Sequence, residues 1–85
     1  MKSFTYVIAD KVGIHARTAG VVVKTAQKYQ SVIMIQRGED QADMKKLMEV
    51  MSLGVKCGQE VTVTVEGADE EEACAELESV FKERL

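Results

Sequence analysis

The sequence predicts an α+β domain in which a four-stranded antiparallel sheet carries three helices on one face. Two observations lead there. Strand-like and helix-like segments intermix in the order β-α-β-β-α-β-α, with no linker, repeat or low-complexity stretch between them. The cleanest strand sets Val61, Val63 and Val65 against Thr62, Thr64 and Glu66, the alternation of a sheet with one buried and one wet face. Elements in this order pack most economically as two layers, with the Thr and Ser positions on the open side.

Each element has its own signal. Residues 3–8 alternate, with Phe4, Tyr6 and Ile8 on one face and Ser3, Thr5 and Val7 on the other. Asp10 to Gly13 reads as a loop, Gly13 being free to take a positive φ. Ala19, Val22, Val23 and Ala26 then recur at helical spacing, so a helix runs from Ala16 to near Lys28. Val32 to Gln36 is a short β-branched strand, Arg37-Gly38-Glu39 a turn and Gln41 to Met44 a weaker strand. Leu47 to Leu53 forms a short helix closed by Gly54. Asp69 opens the last helix, with Glu72 expected to complete a capping box, and Ala73, Leu77, Val80 and Phe81 form its core stripe. Lys82 and Arg84 lie at its carboxyl end, where cations are favoured.

Composition narrows the function. The 85 residues make one domain spanning 1–85, 46% hydrophobic and 29% charged, as in an ordinary globular chain. A net charge of −3 argues against nucleic-acid binding. No apolar run approaches a membrane span and no signal-peptide core precedes the first strand, so a cytoplasmic location without membrane insertion is expected. Cys57 and Cys74 match neither a zinc spacing nor a Cys-x-x-Cys pair and are expected to be free thiols. Neither a cofactor nor a metal is expected.

The chemistry-bearing stretch is Gly13-Ile14-His15-Ala16-Arg17-Thr18, which holds the only histidine at a helix start. A helix start offers unpaired N–H groups and the positive dipole end, hence an anion site. A phosphoryl group on the ring of His15 would meet the N–H groups of Ala16 and Arg17, and the Arg17 guanidinium would add a charge-assisted contact. The competing reading is a surface histidine that does no more than cap the helix.

Beyond these residues, the chain closely resembles the HPr family, the histidine-containing phosphocarriers of the bacterial sugar phosphotransferase system. Gly13-Ile14-His15-Ala16-Arg17 matches the family's active-site motif, Val50-Met51-Ser52-Leu53-Gly54 its second block, and Gly67-Ala68-Asp69-Glu70 the approach to its last helix. The resemblance implies an open-faced β-sandwich. It also implies that His15 accepts phosphoryl at Nδ1 from phospho-enzyme I and passes it to an enzyme IIA, with Arg17 stabilising the phosphate. On that reading the protein is a co-substrate of phosphotransferases rather than an enzyme, and is expected to be monomeric.

A partner surface is also expected. Leu47, Met48, Val50, Met51 and Leu53 crowd one short helix, more apolar side chains than a single face can bury. Val50 and Leu53 are assigned to the core and Met48 to the surface, where methionine suits several partners. The resemblance places a docking patch at Leu47, Met48 and Met51, together with Gly20, Val21 and Lys24.

Three positions depart from the family pattern. Lys46 stands where many Gram-positive members carry a kinase-regulated serine, so that modification is expected to be lost. Thr18 replaces a proline and is expected to leave the first turn less rigid. Glu49 is expected to set a carboxylate in the apolar patch, repelling partner carboxylates. Lys46 and Glu49 motivate an alternative: a divergent member still phosphorylated at His15 but acting on transcriptional or metabolic regulators. A small enzyme of acylphosphatase type is disfavoured, because that chemistry needs an asparagine and the chain has none.

Overall fold

Alternation places Val61, Val63 and Val65 on the inner face of the strand with the most regular pattern, and that strand lies inside the sheet. A computed structural model describes residues 1–85. Its elements are β1 (Lys2–Val7), α1 (Ala16–Gln27), β2 (Val32–Arg37), β3 (Asp40–Asp43), α2 (Leu47–Ser52), β4 (Glu60–Glu66) and α3 (Glu70–Arg84). The sheet order is β1-β4-β2-β3, with every neighbour antiparallel. Phe4 pairs with Val63 across β1 and β4, and Val63 with Ile35 across β4 and β2, so the inward residues form one layer.

That layer meets Ala19, Val22, Val23 and Ala26 of α1 and Ala73, Leu77 and Phe81 of α3 in a single buried cluster. Burying each large apolar side chain stabilises by about 1.5–3 kcal/mol, so this cluster is the main source of stability. The Phe81 ring stands edge-on to Phe4 at 5.3 Å and to Tyr6 at 5.8 Å, clamping α3 onto β1. Small residues on α1, Ala19 and Ala26, let that helix approach closely. Val80 is only partly buried and rims the core rather than filling it. The opposite sheet face carries Ser3 and Thr5 exposed, as the alternation predicts, and also Val32 and Gln36.

Element limits differ from expectation by a residue or so. β1 ends at Val7, yet Ile8 stays buried because its N–H continues the pairing to the Gln59 carbonyl at 3.0 Å. Arg37 belongs to β2 and Asp40 begins β3, tightening the predicted turn. Gly54 follows α2 with φ of 62°, the left-handed conformation that ends a helix.

One local expectation fails. Asp69 does not form a capping box with Glu72; its side chain makes no cap hydrogen bond. Its carboxylate instead accepts from the Gln30 N–H at 2.8 Å, the Ser31 N–H at 3.0 Å and the Ser31 hydroxyl. Those donors lie at the turn after α1, where the backbone of Gly67 passes so close that an added Cβ would stand 2.7 Å from the Ser31 Cα. The close approach delivers Asp69 to three donors at once, and three outweigh one cap. The carboxyl of Asp69 is held below its ordinary range, first by the Ser31 hydroxyl and then by the Gln30 N–H.

Candidate functional site

The segment from β1 to α1 has little regular structure, and it is fixed by bonds to three other parts of the chain. The Ile8 carbonyl accepts from the Gly58 N–H at 2.7 Å, and the N–H groups of Ala9 and Asp10 both donate to the Leu85 carbonyl. Asp10 then makes a turn on itself: its carbonyl accepts from the Gly13 N–H at 2.9 Å, and its Oδ1 from the Val12 N–H at 2.8 Å. Gly13 has φ of 81°, and a Cβ there would lie 2.4 Å from the Val55 carbonyl oxygen, so only glycine fits. The Ile14 N–H donates to that same carbonyl at 3.0 Å, and its side chain is buried. The chain therefore reaches His15 on a fixed track.

His15 is the N-cap of α1, with extended φ of −121° and ψ of −179°, and its carbonyl accepts the first helical bond, from the Ala19 N–H at 2.8 Å. Its imidazole faces the Thr18 N–H as one half of a capping box, without closing a full cap hydrogen bond. The capping is done by Thr18, whose hydroxyl accepts from the His15 N–H and donates to the His15 carbonyl, each at 3.2 Å. These two bonds act against the loosening expected of Thr18. Where proline would pre-set one φ, threonine binds the main chain of His15 at both its polar groups.

The ring of His15 is 34% exposed, and its Nε2 lies 4.0 Å from Oδ2 of Asp10, itself 26% exposed. The N–H groups of Ala16 and Arg17 have no partner in the chain, as the first turn of a helix dictates. Arg17 is exposed. Histidine ring, open amides and guanidinium thus lie on three consecutive residues of one helix start. The hollow at the molecular surface lies elsewhere, lined by Gly67 to Glu72 at the start of α3, and contains none of these residues.

The second group of expected site residues lies on α1 and α2. Gly20 and Val21 are half-buried and Lys24 is exposed on α1. On α2, Leu47 is 40% and Met48 75% exposed, Met51 packs partly against the core, and Val50 and Leu53 are buried. Two bonds bring the helices together: Gln27 donates to the Lys45 carbonyl at 2.9 Å, and the Lys45 ammonium to the Tyr29 carbonyl at 2.7 Å. Asp43 shapes the start of α2, its Oδ1 accepting from the Lys45 N–H at 2.9 Å and its carbonyl from the Lys46 N–H at 3.0 Å.

Glu49 departs from expectation. Its carboxylate turns back to the start of α2, with Oε1 accepting from the Asp43 N–H at 3.1 Å and Oε2 lying 3.7 Å from the Lys46 ammonium. A half-exposed carboxylate with a backbone donor and a cation within reach has better company there than among methionines. Lys46, the N-cap of α2, is thereby engaged as well.

Two residues near His15 escaped the sequence reading. The sequence marks Asp10 only as a loop residue, although an aspartate two positions before a valine N–H and three before a glycine is the pattern of a self-bonded turn. Val12, 69% exposed, puts an apolar side chain on the same loop.

A family model described as "PTS HPr component phosphorylation site" matches residues 2–83. This chain belongs to the PTS HPr family. A phosphocarrier protein HPr of Mycoplasma capricolum is 42% identical over 73 residues, 86% of this chain and 82% of that protein. A Mycoplasma histidine-containing phosphocarrier protein superimposes with a TM-score of 0.94 at 36% identity, over 96% of this chain and 93% of that one. An HPr from Thermoanaerobacter tengcongensis does so with 0.88 at 43% identity, over the whole of both chains. The four-stranded antiparallel sheet with three helices is thus the HPr fold, and HPr proteins are phosphocarriers. No helix is long and apolar enough to cross a membrane.

Proposed function

We propose that the chain accepts a phosphoryl group on Nδ1 of His15 from phospho-enzyme I and hands it to a histidine of an enzyme IIA, acting as co-substrate rather than enzyme. The observation that carries this is the placement, on three consecutive residues at the start of α1, of an accessible imidazole, two open amides and an exposed arginine. An uncharged ring supplies the nucleophilic lone pair. Nδ1 bonds to phosphorus as the donor's P–N bond breaks, and that electron pair returns to the donor ring. The three phosphoryl oxygens then meet the N–H groups of Ala16 and Arg17 and the Arg17 side chain, and such placement of charge is most of what phosphoryl transfer requires.

Partners dock, on this reading, across Gly20, Val21 and Lys24 of α1 and Leu47, Met48 and Met51 of α2. The protein works as a cytoplasmic monomer. Lys46 cannot accept a phosphate, so the serine switch of Gram-positive relatives has no acceptor at that position.

Incubation with phosphoenolpyruvate and the cognate enzyme I, followed by intact-mass measurement, tests the reading. One acid-labile phosphate is expected, and none in His15→Ala. No gain in the parent protein sinks the carrier role and leaves a purely interacting one.

The alternative, a member serving a regulatory circuit through the same phosphohistidine, draws on Lys46, a lysine paired with Glu49 at the head of the docking helix. Transfer onward to regulators but to no enzyme IIA would favour it.

A further inference from the structure

The geometry points to Asp10 as the positioning residue that decides which ring nitrogen of His15 is nucleophilic. The inference rests on the phosphoryl-acceptor reading above and adds to it a determinant outside the helix start.

Asp10 is held from three sides. Its N–H donates to the Leu85 carbonyl at 2.8 Å, its carbonyl accepts from the Gly13 N–H at 2.9 Å, and its Oδ1 accepts from the Val12 N–H at 2.8 Å. With one carboxylate oxygen committed, the other has a fixed place, and that place is 4.0 Å from Nε2 of His15. The neutral imidazole carries its proton on one nitrogen and a lone pair on the other. A carboxylate facing Nε2 attracts an N–H there and repels a lone pair, so the proton belongs on Nε2. The lone pair is then left on Nδ1, the ring nitrogen bonded to Cγ and so nearer the main chain.

The same contact serves the transfer step. When Nδ1 takes the phosphoryl group, the proton stays on Nε2 and the ring becomes a cation. The donor, arriving as a phospho-imidazolium, departs as neutral imidazole, so charge and protons balance without a base. Asp10 faces the new cation across 4.0 Å, a distance at which the pair attracts through the partly exposed loop.

The substitution Asp10→Asn separates this role from a structural one. The Val12 N–H can be accepted only by the amide oxygen, which turns the NH2 group toward Nε2. The turn is kept while the preference is reversed. Asp10→Ala removes both groups. The readout is the ratio of the two neutral His15 tautomers, from ring 15N shifts of the unphosphorylated protein in alkaline buffer.

In Asp10→Asn the Nε2–H to Nδ1–H ratio is expected to fall about three- to tenfold, the span of one hydrogen bond gained by the wrong form. In Asp10→Ala a fall of about twofold is expected, as for a part-exposed charge contact. The rate of phosphorylation by phospho-enzyme I should fall in the same order, with amide spectra of Asp10→Asn unchanged outside residues 9–18.

An unchanged ratio in Asp10→Asn overturns the inference, as does a changed ratio with an unchanged rate. Failure of the parent protein to accept phosphate at all removes the carrier reading instead, and the tautomer ratio still decides what Asp10 does to the ring.

Discussion

At Thr18 a single hydroxyl replaces what a proline ring does elsewhere. It bonds both the N–H and the carbonyl of His15, and so fixes the main chain from which the imidazole projects. Thr18→Val keeps the buried volume and removes both bonds. A loss of about 1 kcal/mol is expected from urea unfolding, the usual cost of a missing cap. Phosphorylation should slow as well, because the main chain that carries the ring is held less firmly. An unaltered rate would mean that Gly13 and Ile14, anchored on Val55, position His15 without help. Here the sequence was informative about identity and silent about direction. The Gly-x-His-x-Arg pattern marked the site, but no pattern in one dimension shows a hydroxyl turning back on the residue three before it.

At the scale of elements, α3 is joined to the rest by carboxylates as well as by Phe81. Asp69 reaches Gln30 and Ser31, and Glu76 accepts from the Lys28 ammonium at 2.5 Å and from the Tyr29 hydroxyl. Both carboxyls ionise below their ordinary range, Asp69 chiefly through the Ser31 hydroxyl and Glu76 chiefly through Lys28. A carboxyl lowered on folding contributes stability above its unfolded value and loses it as pH falls through its folded value. The opposite limit belongs to Tyr29, whose hydroxyl is pushed up to about 12, mainly by its bond to Glu76. Its contribution is complete below the ordinary tyrosine value and fades as pH rises through about 12. Asp69→Asn should therefore flatten the acid limb, its urea midpoint falling less than the parent's between neutral pH and about pH 3. Equal slopes would remove Asp69 from the acid transition. Elements themselves were legible, since Val61 to Val65 and Ala19 to Ala26 announce their periods. The mutual placement of Asp69 and Ser31 was not, because 38 residues separate them and only the folded turn at Gly67 brings them together.

For the molecule as a whole, charge is uneven between elements, although Lys82 and Arg84 lie on α3 and Asp10 and Glu49 on the other side. α3 carries Glu70, Glu71, Glu72, Glu76, Glu78 and Glu83, while Lys11, Arg17, Lys24 and Lys46 lie on the loop and helices that hold His15 and Met48. A protein with a net charge of −3 thus keeps an excess of cations on the region that holds His15 and Met48. At its apolar centre, Met48→Asp should leave stability within about 0.5 kcal/mol, because the side chain is 75% exposed. The KM for phospho-enzyme I should rise about tenfold, as for loss of an interface anchor. A KM unmoved by that change would place docking elsewhere. The exposure of Met48 could be argued from crowding on a six-residue helix. That Glu49 folds away from it could not, because no spacing shows its carboxylate accepting from the Asp43 N–H six residues back, although Lys46 is its i−3 neighbour.

The Leu85 carbonyl receives the N–H groups of both Ala9 and Asp10. The order of the histidine loop is therefore borrowed from the far end of α3, and the two cannot fray independently. Amide protons of Ala9 and Asp10 should exchange with solvent in step with those closing the last turn of α3, as one cooperative opening unit. Exchange in step would make a segment that reads as a flexible connector behave as a part of the last helix.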